Sequence, residues 1–173
     1  MGDSLNESFL TTGAYEAARG ADSQEAGWPE YNGGIIMPRP EHLRLGQYYY
    51  RFADSQWVRE RQVSGSWWVD YENLMAIARF AREHSTPREA VQYFLGVPHQ
   101  WNRCDTLVRG LLMAPLKALS GKGRHVTLDG AKFIPPMHVE VKQLYIPGLS
   151  KLPAPAFSGL VVEDIWSSSY FRK

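Results

Sequence analysis

Three places in the sequence set chemically useful polar side chains into otherwise apolar segments. They are Arg51 within Tyr48-Tyr49-Tyr50-Arg51-Phe52, the Ser64-Gly65-Ser66 turn leading into Trp67-Trp68-Val69, and Glu140 between Val139 and Val141. A polar group on a strand that faces a core costs stability unless it is paired. Arginine grips a phosphate or pyrophosphate through two parallel hydrogen bonds, which lysine cannot reproduce. A carboxylate in a dry cleft stabilises positive charge as it develops in a transition state. Each residue also has a plainer reading: an edge-strand surface arginine, serines that turn and cap the chain, a glutamate on the solvated face of a half-buried strand.

The elements that must position these residues are legible in part. Consecutive aromatics of high strand propensity predict a strand over Gln47 to Phe52. After a polar loop, a Gly-containing turn runs into a short strand at Ser64 to Val69, and Asp70 stands where a helix N-cap belongs. Leu74, Ile77, Ala78 and Ala81 recur at i, i+3, i+4 and i+7, so residues 71–83 read as an amphipathic helix. Thr86 as N-cap, Pro87 at the first helical position, Glu89 three residues after the cap and Gly96 with Pro98 as stop predict a second helix over 87–95. From Thr106 the pattern becomes β-rich: 106–113, which also suits a short helix, then Val126 to Leu128, an Asp129-Gly130 turn, and Lys132 to Ile134. Alternation over 138–142 sets Val139 and Val141 on one strand face and His138, Glu140 and Lys142 on the other. Leu160 to Val162 suits a short edge strand. Helices grouped between strands, without strict alternation, give an α+β order.

The whole chain of 173 residues carries a net charge of +1, far from the basic balance of a dedicated nucleic-acid binder. Residues 1–34 hold six acids against one base and few large aliphatics, which predicts an acidic, mobile or loosely docked arm. Residues 103–151 hold eight bases against three acids, so a basic face on the body is expected. Residues 35–150 read as one domain and 151–173 as a Pro/Ser-rich tail. One cysteine, Cys104, excludes an internal disulfide framework and a cysteine-based zinc site within a chain. Its expected role is a small buried filler. The histidines are not spaced as a metal set, and there is no Walker or Rossmann glycine loop and no G-x-S-x-G elbow. No apolar run reaches the roughly 18 residues needed to span a membrane, and acids occupy the N-terminus, so the expectation is a protein cytoplasmic as made, delivered elsewhere only by a route without a cleavable signal.

The order of the three polar places resembles the Arg, Ser, Glu pattern of mono-ADP-ribosyltransferases and related NAD-cleaving toxins, over about residues 44–149. The resemblance implies a split β-sheet core with NAD lying between its halves. It implies that Arg51 organises the site and contacts the NAD phosphates or ribose, that Ser66, with Ser64 as the other candidate, supports the site, and that Glu140 is catalytic. Breaking the nicotinamide–ribose bond passes through an oxocarbenium-like state that a carboxylate stabilises. Tyr48, Tyr50, Trp67 and Trp68 are candidates to stack on the nicotinamide or adenine. The residue two before Glu140 is His138, where related transferases show Glu or Gln, and Gln143 and Glu163 remain alternative late polar residues. The implied function is a NAD-dependent ADP-ribosyltransferase or NAD glycohydrolase, a bacterial or phage effector or toxin with a macromolecular acceptor and an immunity or inhibitor protein. A non-catalytic interaction module of a phage or secretion particle is the alternative from another class, since six tryptophans and nine tyrosines suit an interface equally well. Binding of single-stranded nucleic acid through residues 103–151 is a third.

Overall fold

The computed structural model describes residues 3–20, 33–97, 100–124, 126–128, 131–133 and 140–173. Among these, the order is α1 (Thr12–Arg19), β1 (Arg39–His42), β2 (Tyr48–Ala53), α2 (Arg59–Ser64), β3 (Trp67–Asp70), α3 (Tyr71–His84), α4 (Pro87–Leu95), β4 (Thr106–Leu112), β5 (Lys117–Lys122), β6 (Val126–Leu128), β7 (Ala131–Phe133), β8 (Lys142–Tyr145) and β9 (Phe157–Asp164). Seven strands form one antiparallel sheet in the order β1-β5-β8-β3-β2-β4-β9, with β6 and β7 as a separate hairpin. The fold is α+β, as the grouping of helices between strands predicts.

The sheet divides at β3. Trp67 and Trp68 pair with Tyr145 and Leu144 of β8, whereas Val69 and Asp70 pair with Tyr50 and Tyr49 of β2. Beyond these pairs the neighbouring strands diverge, so a single four-residue strand is the hinge between two half-sheets.

Local chemistry explains the helices around that hinge. Asp70 Oδ1 accepts from Asn73 N at 2.9 Å and starts α3, and Asn73 Oδ1 accepts from Lys142 N at 2.7 Å, which ties the first turn of α3 to β8. Leu74, Ile77, Ala78 and Ala81 form the buried stripe. Thr86 and Glu89 complete a reciprocal capping box, and Gly96 closes α4 in the left-handed conformation. Together α3 and α4 cover one sheet face through Tyr50, Phe52, Val69 and Leu107, while Tyr49, Trp68, Val108 and Leu144 build a second core on the other face.

Three expectations change, and one strand, β1, had none. Residues 3–20 are not a loose arm: Asn6 is fully buried, its Nδ2 donating to the carbonyls of Lys117 (2.8 Å) and Pro147 (3.1 Å) and its Oδ1 accepting from Lys117 N (2.9 Å), and Ala14 and Ala18 pack on Ile35 and Leu119. The rest of the expected arm, 21–32, lies outside the described residues. The loop before the serine turn contains α2, too short to show a helical period. β1 is exposed and polar along its length and is held by pairing to β5. The strand expected from 138 begins at Lys142; His138 and Val139, like the Asp129-Gly130 turn, lie outside the described residues.

Asn6→Ala removes three buried hydrogen bonds and strands their partners, so it is expected to lower stability in urea unfolding by about 2 kcal/mol. Thr86→Ala, which loses the α4 cap, is expected to cost about 1 kcal/mol. An Asn6→Ala loss near zero would show that the N-terminal segment unfolds apart from the sheet.

Candidate functional site

Arg51 is the first residue of β2 after that strand leaves β3, and Gln143 is the first residue of β8 on the far side of its last pair with β3. Both line a cavity of about 210 Å³ at the division of the sheet. Residues from both sheet faces line it, including Tyr50 and Phe52 from one and Trp68 from the other. Four of the six tryptophans, Trp57, Trp67, Trp68 and Trp101, contribute to its walls.

Arg51 is 7% exposed. Its Nε donates to the Gln62 carbonyl at 2.9 Å and its Nη1 to the Trp67 carbonyl at 3.2 Å, so it fastens the end of α2 to the start of β3. Among the described residues no carboxylate pairs with it. Burial lowers its pKa to about 10, and the Arg61 cation adds to that shift. The group is still protonated at neutral pH, which makes it a buried cation satisfied by carbonyl dipoles alone. Gly65 is what admits it: a Cβ there would stand 1.9 Å from Nη2. Trp57 lies between two cations, the Arg61 guanidinium carbon 4.2 Å and that of Arg51 6.0 Å from the ring centroid.

Gln143 is 4% exposed, and its Oε1 is buried without a hydrogen-bond partner. A buried amide oxygen without a partner is an acceptor that lacks its donor. Asn102 closes the loop beneath, its Nδ2 donating to the Phe52 carbonyl at 3.1 Å and its Oδ1 accepting from Cys104 N at 2.8 Å. Cys104 is buried with φ at 51°, and burial pushes its thiol well up, so it stays protonated and serves as filler. Tyr50 reaches Tyr170 through its hydroxyl at 3.2 Å; burial and that hydroxyl raise its pKa above the usual tyrosine range.

Of the residues singled out from sequence, the structure brings Arg51, Tyr50, Trp67, Trp68 and the alternative Gln143 to one cavity. Glu140 is exposed, precedes β8 and does not line it. Ser66 precedes β3 and Ser64 ends α2; neither lines the cavity, though the Ser66 carbonyl accepts from Ile146 N at 2.7 Å. Glu163 pairs with Leu107 on the far side of the sheet. Trp57 and Asn102 are site residues that sequence reasoning passed over. Asn102 had a local signal, its place in the Trp101-Asn102-Arg103 run between α4 and β4. Trp57 had none.

No family model and no curated protein matches the chain. A solved structure described as "Rhs1-CT in complex with cognate immunity protein RhsI1" contains a similar chain, with a TM-score of 0.46 and 15% identity, covering 85% of this chain and 92% of that one.

A buried cation without a carboxylate attracts anions, so inorganic pyrophosphate is expected to raise the Tm of the wild-type protein. Gly65→Ala, which displaces the guanidinium, and Arg51→Met are expected to remove that increment. An unchanged increment in both variants would take Arg51 out of anion binding.

Proposed function

We propose that the cavity binds NAD and that the chain breaks its nicotinamide–ribose bond, acting as a mono-ADP-ribosyltransferase where a macromolecular acceptor takes the ADP-ribose and as a NAD glycohydrolase where water does. The observation that carries this reading is Arg51, a buried cation without a carboxylate at a tryptophan-walled cavity where the sheet divides. The arginine suits the pyrophosphate of a dinucleotide, and flat aromatic walls suit its rings. Of the Arg, Ser, Glu order on which the family resemblance rests, Arg51 lines the cavity; Ser64, Ser66 and Glu140 do not, and Gln143 is the late polar residue beside it.

In the reaction the carbon–nitrogen bond breaks, its electron pair leaves with nicotinamide, and the ribose carbon takes on positive charge until a nucleophile adds. Gln143 lines the cavity, and its buried Oε1 has no hydrogen-bond partner. It accepts a hydrogen bond from a ribose hydroxyl and turns the negative end of its amide dipole toward the developing cation. Glu140, the carboxylate that the resemblance would place there, is replaced in this role by Gln143. An amide stabilises the cation less than a carboxylate does, so slow turnover is expected. An enzyme that consumes NAD harms the cell that makes it; the proposal therefore includes an effector or toxin role and a protein inhibitor of the immunity kind.

One observation favours a second reading: among the described residues that line the cavity there is no carboxylate. A non-catalytic module that binds a nucleotide or a protein partner would need none.

Nicotinamide release from NAD separates the two, measured with and without a cell lysate as acceptor. The expected result is release that Gln143→Ala lowers by about 100-fold, the scale of one lost transition-state contact. Glu140→Gln is expected to remain within about twofold of wild type, since an exposed charge outside the cavity contributes little. Loss of release in Glu140→Gln alone would return the catalytic role to Glu140. A NAD-dependent rise in Tm without release would establish the non-catalytic module.

A further inference from the structure

A second surface shares no lining residue with the Arg51 cavity. Ile36 and Met37 stand between two concavities of about 620 and 340 Å³. Arg19 and Arg124 line the first, Lys122 and Lys142 the second, and Arg39 both; among the described residues no acid lines either. Arg39, Lys122 and Lys142 form no ion pair among the described residues. Lys122 and Lys142 are directly opposed across β5 and β8, an arrangement in which like charges repel. Between these cations Met37 is 70% exposed and Ile36 48%.

The apolar knob is held rigidly. Ile36 N donates to the Lys122 carbonyl at 2.8 Å, Arg124 N donates to the Gly34 carbonyl at 2.9 Å, and Pro38 behind it is buried. Met37 sits in the left-handed region at φ 47°, which a methionine rarely adopts. A strained, exposed, apolar side chain ringed by cations does nothing for the fold that a glycine at the same place would not do better.

We propose that this face docks an acidic protein partner, whose carboxylates meet Arg39, Lys122 and Lys142 and whose surface has an apolar socket for Ile36 and Met37. Charge complementarity selects the acidic surface, and the knob supplies the central apolar anchor that protein interfaces use. Nucleic acid fits less well, because among the described residues lining the two concavities none is aromatic and none offers a stacking platform. On β8, Lys142 is exposed and Gln143 buried, so their side chains leave opposite faces of the strand. A partner on this face therefore leaves the cavity lining untouched, and the inference stands whether or not the cavity binds NAD.

The probe is a short synthetic peptide alternating Glu and Leu, with an all-Glu peptide, oligo(dT) and phosphatidylserine vesicles as comparisons, on the full chain at two salt concentrations. The expected result is protection of the amides of residues 35–37, 39, 120–124 and 142 from exchange by the Glu/Leu peptide. Met37→Gly is expected to weaken that binding about tenfold while leaving Tm unchanged or raised, because glycine relieves the left-handed strain. Lys122→Gln with Lys142→Gln is expected to weaken binding and flatten its salt dependence. No protection at those amides, or equal binding by Met37→Gly, would overturn the proposal. So would tighter binding of oligo(dT) or of the vesicles. A tenfold gain in peptide affinity on changing Asp22, Glu25 and Glu30 to their amides would assign the face to the chain's own acidic segment and overturn it as well.

Discussion

The guanidinium of Arg51 holds the two half-sheets in their relation. It bridges the Gln62 carbonyl at the end of α2 and the Trp67 carbonyl at the start of β3, at the level where β2 has already left β3. Without it, the buried Gln62 carbonyl and the partly buried Trp67 carbonyl would lose this donor. Other local features depend on the same group. Gly65 is bare because the guanidinium fills the space of its Cβ, Gln62 is buried because its carbonyl must face Arg51, and Trp57 lies on the cation's flank. Gln62 in turn donates through Nε2 to the Asp54 carbonyl at 3.0 Å, and Asp54 Oδ2 accepts from Arg103 N at 3.1 Å, which carries the constraint to the loop bearing Asn102 and Cys104.

That arrangement is costly by design of its parts. A cation this buried is ordinarily neutralised by a carboxylate, because dipoles alone recover only part of its lost hydration. Gln143 adds a second unmet demand, an acceptor with no donor. The two groups lie on strands that are not neighbours, brought to one cavity because β3 exchanges partners between them. One ligand with an anionic group and a hydroxyl would satisfy both, and the aromatic walls would exclude the water that otherwise screens them.

How much of this the sequence discloses varies with the range of the interactions. Helices α3 and α4 were legible because capping and the apolar stripe are local: Asp70, Thr86, Glu89 and Gly96 act within four residues of their effects. The strand bearing Arg51 was legible from its aromatics. α2 and β1 were not, since α2 has six residues with little apolar pattern and β1 is exposed and polar throughout, so only pairing with β5 defines it. The acidic composition of residues 1–34 suggested a loose arm, yet Asn6 buries itself by reaching residues more than 100 positions away. A single asparagine among polar neighbours carries no mark of that partnership.

The site divides along the same line. Arg51, Tyr50, Trp67 and Trp68 stood out because polar or large aromatic groups on short strands are locally unusual. Choosing between Glu140 and Gln143 needed the strand's phase and its starting residue, both fixed by the register of β8 against β3 and β5. Side chains on a strand alternate, so residues three apart face opposite ways; a carboxylate at 140 and an amide at 143 cannot both meet the cavity on a regular strand. The structure gives the buried phase to Gln143 and leaves Glu140 with exposed Lys142. Residue type argued for the glutamate, since a carboxylate is the stronger partner for a developing cation. Register decides which of the two side chains lines the cavity.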